Sequence, residues 1–460
     1  MSALLPTWGS TAGEVARAVL VGVAFLGLLF AAEAWKRIGR PPVEWTRKLV
    51  HVAGGVVSAT FPWVFATHVT VLLLCAASFA ILALGKRAGL LSSVTEVERR
   101  STGELLFPFS VYLLFVVAHS HPMFYVIALS TLVLSDTAAA LLGTAYGRHT
   151  YTVASDRKSL EGSAAFLVVT FVAVHVMLLL GTPIDRAASV LIAVQLALLV
   201  TSFEAISMGG NDNLVVPLMT YYMLVKLTPS SWQGIAWQLA VQLGLLLVMV
   251  LLSFRTRFLT LAGAIAAHLA LYAAFSLGGP TWCAAPVLAL IGFLAIYRGT
   301  PDAPDGPGHE VRQVFYVSIV SMVFLFLDNS YTTLSRPPQL LNWRHPFFVP
   351  FVGSLATTLA IVGYRASRMR GRSPVASVIA LPVAWGLVAP LALALGPTGL
   401  EPRSQLGTLL MCCIGLALYA LARMRVRLPS GGLHDLRLQA LCVAVASAAA
   451  YPLGLMPRAG

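Results

Sequence analysis

Charge is what this sequence has least of. Only 11% of its 460 residues are Asp, Glu, Lys or Arg, against about 25% in soluble globular chains. So few charges cannot cover the surface of a water-soluble 49.0 kDa fold, which excludes the soluble enzyme classes. Cysteine is scarce too. Cys75, Cys283, Cys412, Cys413 and Cys442 all fall in apolar runs and form no CxxC, so neither a disulfide framework nor a thiolate zinc site is supported. Acids are fewer than bases, 18 against 31, for a net charge of +13. That excess does not point to nucleic acid, because the bases are spread through short loops instead of gathering on a folded polar face. Anionic lipid headgroups and a polyphosphate substrate suit it better.

Apolar sequence is what the chain has in abundance: 58% of residues are hydrophobic and the mean hydropathy is +0.82. A membrane span needs about 20 mostly apolar residues, and the runs predict an all-α fold, a polytopic transmembrane helical bundle of about 14–16 spans. The run from Val15 to Trp35 lacks a basic leader and is followed by a basic loop, so it reads as a retained span and not a cleaved signal. With the N-terminus outside, 24 of the 31 basic residues fall on the cytoplasmic side, as the positive-inside bias requires. The predominance of arginine over lysine points to a GC-rich genome and a bacterial inner membrane. The only linker-like stretch, Tyr297 to Gln313, is rich in Pro, Gly and Asp and marks an internal joint.

Four segments in the first half carry polar residues to the same membrane face. "TRKLVHVAGG" sets Arg47, Lys48 and His51 three and four residues apart, on one side of a helix. "ERRSTGELLF" supplies Glu98, Arg99, Arg100 and Glu104. "LSDTAAALLGTAYGRHTYTVASDRKSLEG" holds Asp136, Arg148, Arg157, Lys158 and Glu161, and "FEAISMGGNDNLVVPL" holds Glu204, Asp212 and Asn213 around a Gly-Gly break. Asp136 carries the most information. With its helix running to Gly143 it lies about 10 Å inside the membrane, at 1.5 Å per residue. An ionised Asp at a span's centre costs about 2.5–3.5 kcal/mol, so a metal, a basic partner or a water-filled cavity is expected beside it. Gly143 and Gly147 permit close approach of either a neighbouring helix or a phosphate. Arg157 and Lys158 are phosphate-type cations, Ser159 is a donor, Glu161 is a metal ligand or base, and Gly162 breaks the chain. Together they offer what phosphoryl transfer uses.

"RKLVH", "RRSTGE", "SDTAAALLGTAYGRH", "DRKSLEGS" and "EAISMGGNDNLVVPL", in this order over roughly residues 35–230, resemble the CTP-dependent polyprenol kinase family, which includes phytol kinase, dolichol kinase and a diacylglycerol kinase of the same type. The resemblance implies transfer of the γ-phosphate of CTP to the hydroxyl of a membrane lipid alcohol, with Mg2+ or another divalent metal. It also implies nucleotide binding at Asp136, Gly143, Gly147, Lys158, Ser159, Glu161 and Gly162; Arg148 and Arg157 are expected beside them as phosphate cations. The expected catalytic set is Asp136, Lys158, Glu161 and Asp212, with Asp136 and Asp212 on the metal; Arg47, Lys48, His51, Glu104, Glu204 and Asn213 shape the acceptor side. A kinase-like membrane domain is expected over 1–230, further spans over 231–300, a cytoplasmic loop over 301–311, and C-terminal spans of open role over 312–460. The stretches "FLTLAGAIAAHLALYAAFSLGGPTW" and "EVRQVF" resemble the phytyl-phosphate kinase family. Two alternatives stand beside the kinase reading. One is a phosphatidate cytidylyltransferase-like enzyme, against which "GGNDNLVVPL" departs from that family's His-Gly-Gly-x-x-Asp-Arg-x-Asp run. The other is a transporter, for which intramembrane acids are equally natural.

Overall fold

The computed structural model describes residues 11–88, 103–153, 156–298, 309–334, 345–369, 388–426 and 428–454. Of the sequence features above, Glu98, Arg99, Arg100 and residues 299–308 of the linker lie outside the described residues, as does most of the apolar run 375–396, expected to be a further span. Among those described, eleven helices are long and apolar enough to cross a membrane. The all-α, many-span architecture follows from long apolar runs, because in lipid the backbone must satisfy its own N–H and C=O groups.

The chain forms two compact units, Met1–Ala240 and Val241–Gly460. The first contains α1 (Thr11–Gly39), α2 (Val43–Ala59), a single turn α3 (Phe61–Val64), α4 (His68–Ala88), α5 (Gly103–Val117) and α6 (Pro122–Tyr146). A β-hairpin follows, β1 (Thr150–Val153) against β2 (Asp156–Ser159), and then α7 (Leu160–Gly181), α8 (Arg186–Ile206) and α9 (Asp212–Leu227). The hairpin is antiparallel, pairing Thr150 with Ser159 and Tyr151 with Lys158. It is the only strand pair among the described residues, formed where the sequence suggests a basic loop; Tyr, Thr and Val in β1 are good strand formers.

α6 and α7 pack closely through small residues. A Cβ at Gly162 would stand 3.0 Å from the Ala139 carbonyl oxygen, and one at Gly143 3.1 Å from Ser159 Oγ. Deeper down, Thr170 donates to Ser135 across the same seam at 2.8 Å. Below that seam Leu132, Phe166, Val200 and Val216 are fully buried against one another. α6 therefore ends with its polar turns facing a hairpin and its apolar turns sealed in the bundle.

The boundary between units falls inside α10 (Trp232–Thr256), ten residues beyond the cut at 230 drawn from the sequence. The second unit continues with α11 (Leu261–Gly278), α12 (Pro280–Arg298), α13 (Val311–Leu334), α14 (Phe348–Met369), α15 (Ala389–Leu395), α16 (Pro402–Arg425) and α17 (Leu433–Gly454). α14 is its central helix, 89% of its most apolar window being buried. Trp282, Phe348 and Phe351 form an aromatic core around it, with ring centroids 4.8–6.2 Å apart. A fully buried Asp435 ties three helices together: it accepts from Tyr419 at 2.6 Å, Arg365 at 3.0 Å and the Gly431 N–H at 2.8 Å.

Candidate active site

The polar segments of the first unit converge on one cavity of about 970 Å³. Of the sixteen residues singled out by sequence, its walls include Arg47, Glu104, Asp136, Gly143, Gly147, Arg157, Lys158, Ser159, Gly162, Glu204, Asp212 and Asn213. α2, the ends of α4 and α6, the starts of α5, α7 and α9, the hairpin and the end of α8 all contribute. Segments up to about 170 residues apart in sequence thus meet at one end of the bundle.

Asp136 lies ten residues before the end of α6, about 15 Å along the helix. Its charge is matched from α2: Lys48 Nζ donates to Oδ2 at 2.5 Å, and His51 Nε2 stands 3.5 Å away. Lys48 is itself buried, with 3% of its side chain exposed. So the basic partner expected for Asp136 is Lys48, a residue whose sequence context suggests the acceptor side. His51 Nε2 is buried without a hydrogen bond, and its ring rests on Phe107 with centroids 4.9 Å apart. Arg47, one turn earlier, is bound to Glu44 at 2.8 Å.

The hairpin is pinned across the cavity. Lys158 Nζ donates to Glu204 Oε1 at 2.8 Å, to Ser207 Oγ at 2.9 Å and to the Glu204 main-chain oxygen. Burial is the largest single influence and works against the Lys158 ammonium, but the Glu204 and Asp212 carboxylates and the hydrogen bond to Glu204 together raise its pKa. Asp156 at the other end of β2 accepts the Gly209 N–H at 2.9 Å. That N–H is presented by a turn in which Gly209 and Gly210 adopt φ of 63° and 89°, a region open to glycine but strained for other residues. Ser159 caps α7 by accepting the Gly162 N–H at 3.1 Å. The α7 N-terminus gives its Leu160 N–H to the His149 carbonyl oxygen and its Gly162 N–H to Ser159; its positive dipole end opens on the cavity beside Lys158, a favourable place for negative charge.

Two expected residues stand apart. Arg148 is exposed and does not line the cavity. Glu161 is turned to the hairpin's own start, accepting from the His149 backbone N–H at 3.1 Å and pairing with His149 Nδ1 at 2.8 Å. Its carboxylate serves local structure, and the cavity wall does not include it. Conversely, Glu44, Trp45, Lys86, Asp156 and Ser207 line the cavity although sequence reasoning had passed over them. Lys86 forms an ion pair with Glu104. For Asp156 the signal was present, since it opens the quoted "DRKS" run.

No group of three or more His, Cys, Asp or Glu side chains arranged to hold a metal occurs among the described residues. The acceptor oxygens nevertheless suit a hard cation. Six carboxylates line the cavity (Glu44, Glu104, Asp136, Asp156, Glu204, Asp212) against four basic side chains (Arg47, Lys86, Arg157, Lys158). Glu204 Oε2 and Asn213 Oδ1 are buried there with no hydrogen-bond partner. Burial and the nearby Asp136 carboxylate push Asp212 above the usual carboxylate range. An excess of oxygen acceptors, some of them orphaned, fits Mg2+, which takes carboxylates together with substrate phosphates.

Fold and cavity together define a class: a polytopic helical membrane protein with a charged, solvent-reached site at one end of its first unit. Comparison with known proteins narrows it. The chain is 32% identical over 205 residues to a phytol kinase of Synechocystis sp., an overlap of 44% of this chain and 88% of that protein. The chain belongs to the phytol kinase family. No family model matches it, and no solved structure does.

Proposed function

We propose that the protein phosphorylates the hydroxyl of a long-chain isoprenoid alcohol, with CTP as donor, at the cytoplasmic face of the membrane. The observation that carries this reading is the single cavity into which α2, α6, the hairpin and α9 deliver cations and carboxylates together. Such a site lets a water-soluble donor meet an acceptor whose tail stays in the bilayer. Kinship with a phytol kinase supports the alcohol as acceptor.

We assign the roles as follows. Lys158 and Arg157 hold the phosphates as cations, helped by the positive dipole end of α7. The alcohol oxygen attacks the γ-phosphorus, the bond to the β–γ bridging oxygen breaks, and CDP leaves. The hydroxyl proton passes to one of the other cavity carboxylates. Asp136 and Asp212 would hold a divalent ion, which when bound would neutralise phosphate charge. Lys48 and His51 fix the Asp136 carboxylate in place.

A transport path needs polar groups through the whole bundle. Here, one turn below Asp136, Leu132 closes the bundle with Phe166, Val200 and Val216, giving the cavity an apolar floor. The test is a panel of radiolabelled nucleotides against phytol, farnesol, dolichol and diacylglycerol in proteoliposomes, with Asp136→Asn alongside. Labelled lipid phosphate is expected from the wild type and its near-complete loss in the variant. Wild-type inertness towards every pair, or full turnover by Asp136→Asn, overturns the proposal.

A further inference from the structure

Beyond the phosphates and the hydroxyl, a kinase must also hold its donor's base, and the cavity offers a wall for it. Lys86 ends α4 and Glu104 begins α5, elements that take no part in gripping phosphate. Both side chains line the cavity and form an ion pair with each other. The His51–Phe107 contact fixes α5 against α2. One turn earlier on each helix stand Glu104 and Arg47 or Lys48, so Glu104 rises to their level. Glu104 keeps only 11% of its side chain exposed, Lys86 37%. A surface pair at two helix ends would be worth little, and nothing would call for the carboxylate to be sunk into a cavity wall.

We propose that Glu104 and Lys86 form the base-reading edge of the site. The inference rests on the kinase reading above. A carboxylate can only accept hydrogen bonds and an ammonium can only donate them, so the pair presents a fixed acceptor beside a fixed donor. Lys86 occupies Oε1 of Glu104, while Oε2 has no partner among the described residues. Cytosine matches this edge: its exocyclic amino group donates and the adjacent ring N3 accepts. Adenine matches it with its amino group and N1. Uracil presents the reverse, a carbonyl oxygen towards the carboxylate and a ring N–H towards the ammonium, and it has no amino group to offer instead. The site therefore selects an amino-bearing base over uracil. Trp45, on the cavity wall and 57% exposed, provides a ring face for that base to stack on. Glu104 is thereby moved from the acceptor side, where sequence reasoning put it, to the donor.

The experiment measures kcat/KM for CTP, ATP, UTP and GTP with phytol in proteoliposomes, for the full-length protein and Glu104→Gln. The wild type should favour CTP or ATP over UTP by about 100-fold or more, as sites built around a hydrogen bond do. Glu104→Gln, whose carboxamide can turn either its oxygen or its NH2 to the base, should lower the CTP-to-UTP ratio at least about 10-fold. The ratio comes from one preparation, so partial misfolding cancels. Competition of unlabelled nucleotides against bound labelled CTP reads the same ratio if the variant turns over slowly. A wild type preferring UTP, or an unchanged ratio in Glu104→Gln, overturns the base assignment while leaving the kinase intact. Absence of turnover with every nucleotide and alcohol overturns the kinase reading and this inference with it.

Discussion

Lys158→Met separates what holds the hairpin from what holds a substrate. In the structure the ammonium satisfies Glu204 Oε1 at 2.8 Å and Ser207 Oγ at 2.9 Å, and both charged side chains are only 11% exposed. Met keeps most of the stem but strands Glu204, whose Oε2 is already without a partner. Removing one member of a buried ion pair costs about 3–5 kcal/mol, whereas removing both charges is close to neutral. Lys158→Met should therefore unfold at a clearly lower temperature in detergent, and Lys158→Met/Glu204→Gln should return most of the way to wild type. Turnover is expected to separate from stability. If the ammonium also meets the transferring phosphate, both variants lose about 100- to 1,000-fold in kcat, the scale for deleting one transition-state donor. A single variant as stable as wild type would refute the pinning role. A double variant with restored turnover would show that Lys158 acts on structure alone.

Gly162→Ala places a Cβ 3.0 Å from both the Ala139 carbonyl oxygen and Ser159 Oγ, so it should lower stability by about 1–3 kcal/mol through overpacking, read as a fall in Tm. Asp435→Asn in the second unit leaves Arg365 without its carboxylate in a fully buried site; a loss of about 3–5 kcal/mol should appear in thermal unfolding of the full chain. Chelation with EDTA should abolish lipid phosphate formation and added Mg2+ should restore it, since the cavity's carboxylates outnumber its basic groups; turnover in EDTA would remove the metal from the proposal.

How much could be read before the structure differs by element. The spans were legible because apolar length is a local property, and Asp136 was legible as a problem because an acid in such a run needs a partner. Which partner was not: Lys48 lies 88 residues away, and only the packing of α2 on α6 joins them. Glu161 shows the opposite failure. Its neighbours Lys158 and Ser159 face the cavity, but the turn into α7 sends its carboxylate back to the His149 N–H, a choice set by hairpin geometry that no spacing rule contains. Gly143, Gly147 and Gly162 were open between helix packing and phosphate approach. The structure shows that packing already requires them small, since a Cβ at Gly147 would meet the Gly143 carbonyl oxygen. Lys86 was visible only as a charge at the end of a span, where an inside-positive anchor explains it equally well.

The surplus of acids bears on how such a site can bind a polyanion at all. Lys48 is held by Asp136, Lys158 by Glu204, Arg47 by Glu44 and Lys86 by Glu104, so the cations wait in position with their charge already countered. Pairing lets lysines sit buried, where alone they would lose their protons or unfold the site. A bare triphosphate gains little from such a wall, because every cation it takes frees a carboxylate to repel it. A triphosphate carrying a divalent cation would gain twice: phosphate oxygens would replace carboxylates on the lysines, and the released carboxylates would face the cation's charge. Partner exchange of this kind would keep the number of satisfied charges constant through binding. Under the proposed function it accounts for acids and bases being interleaved around the cavity.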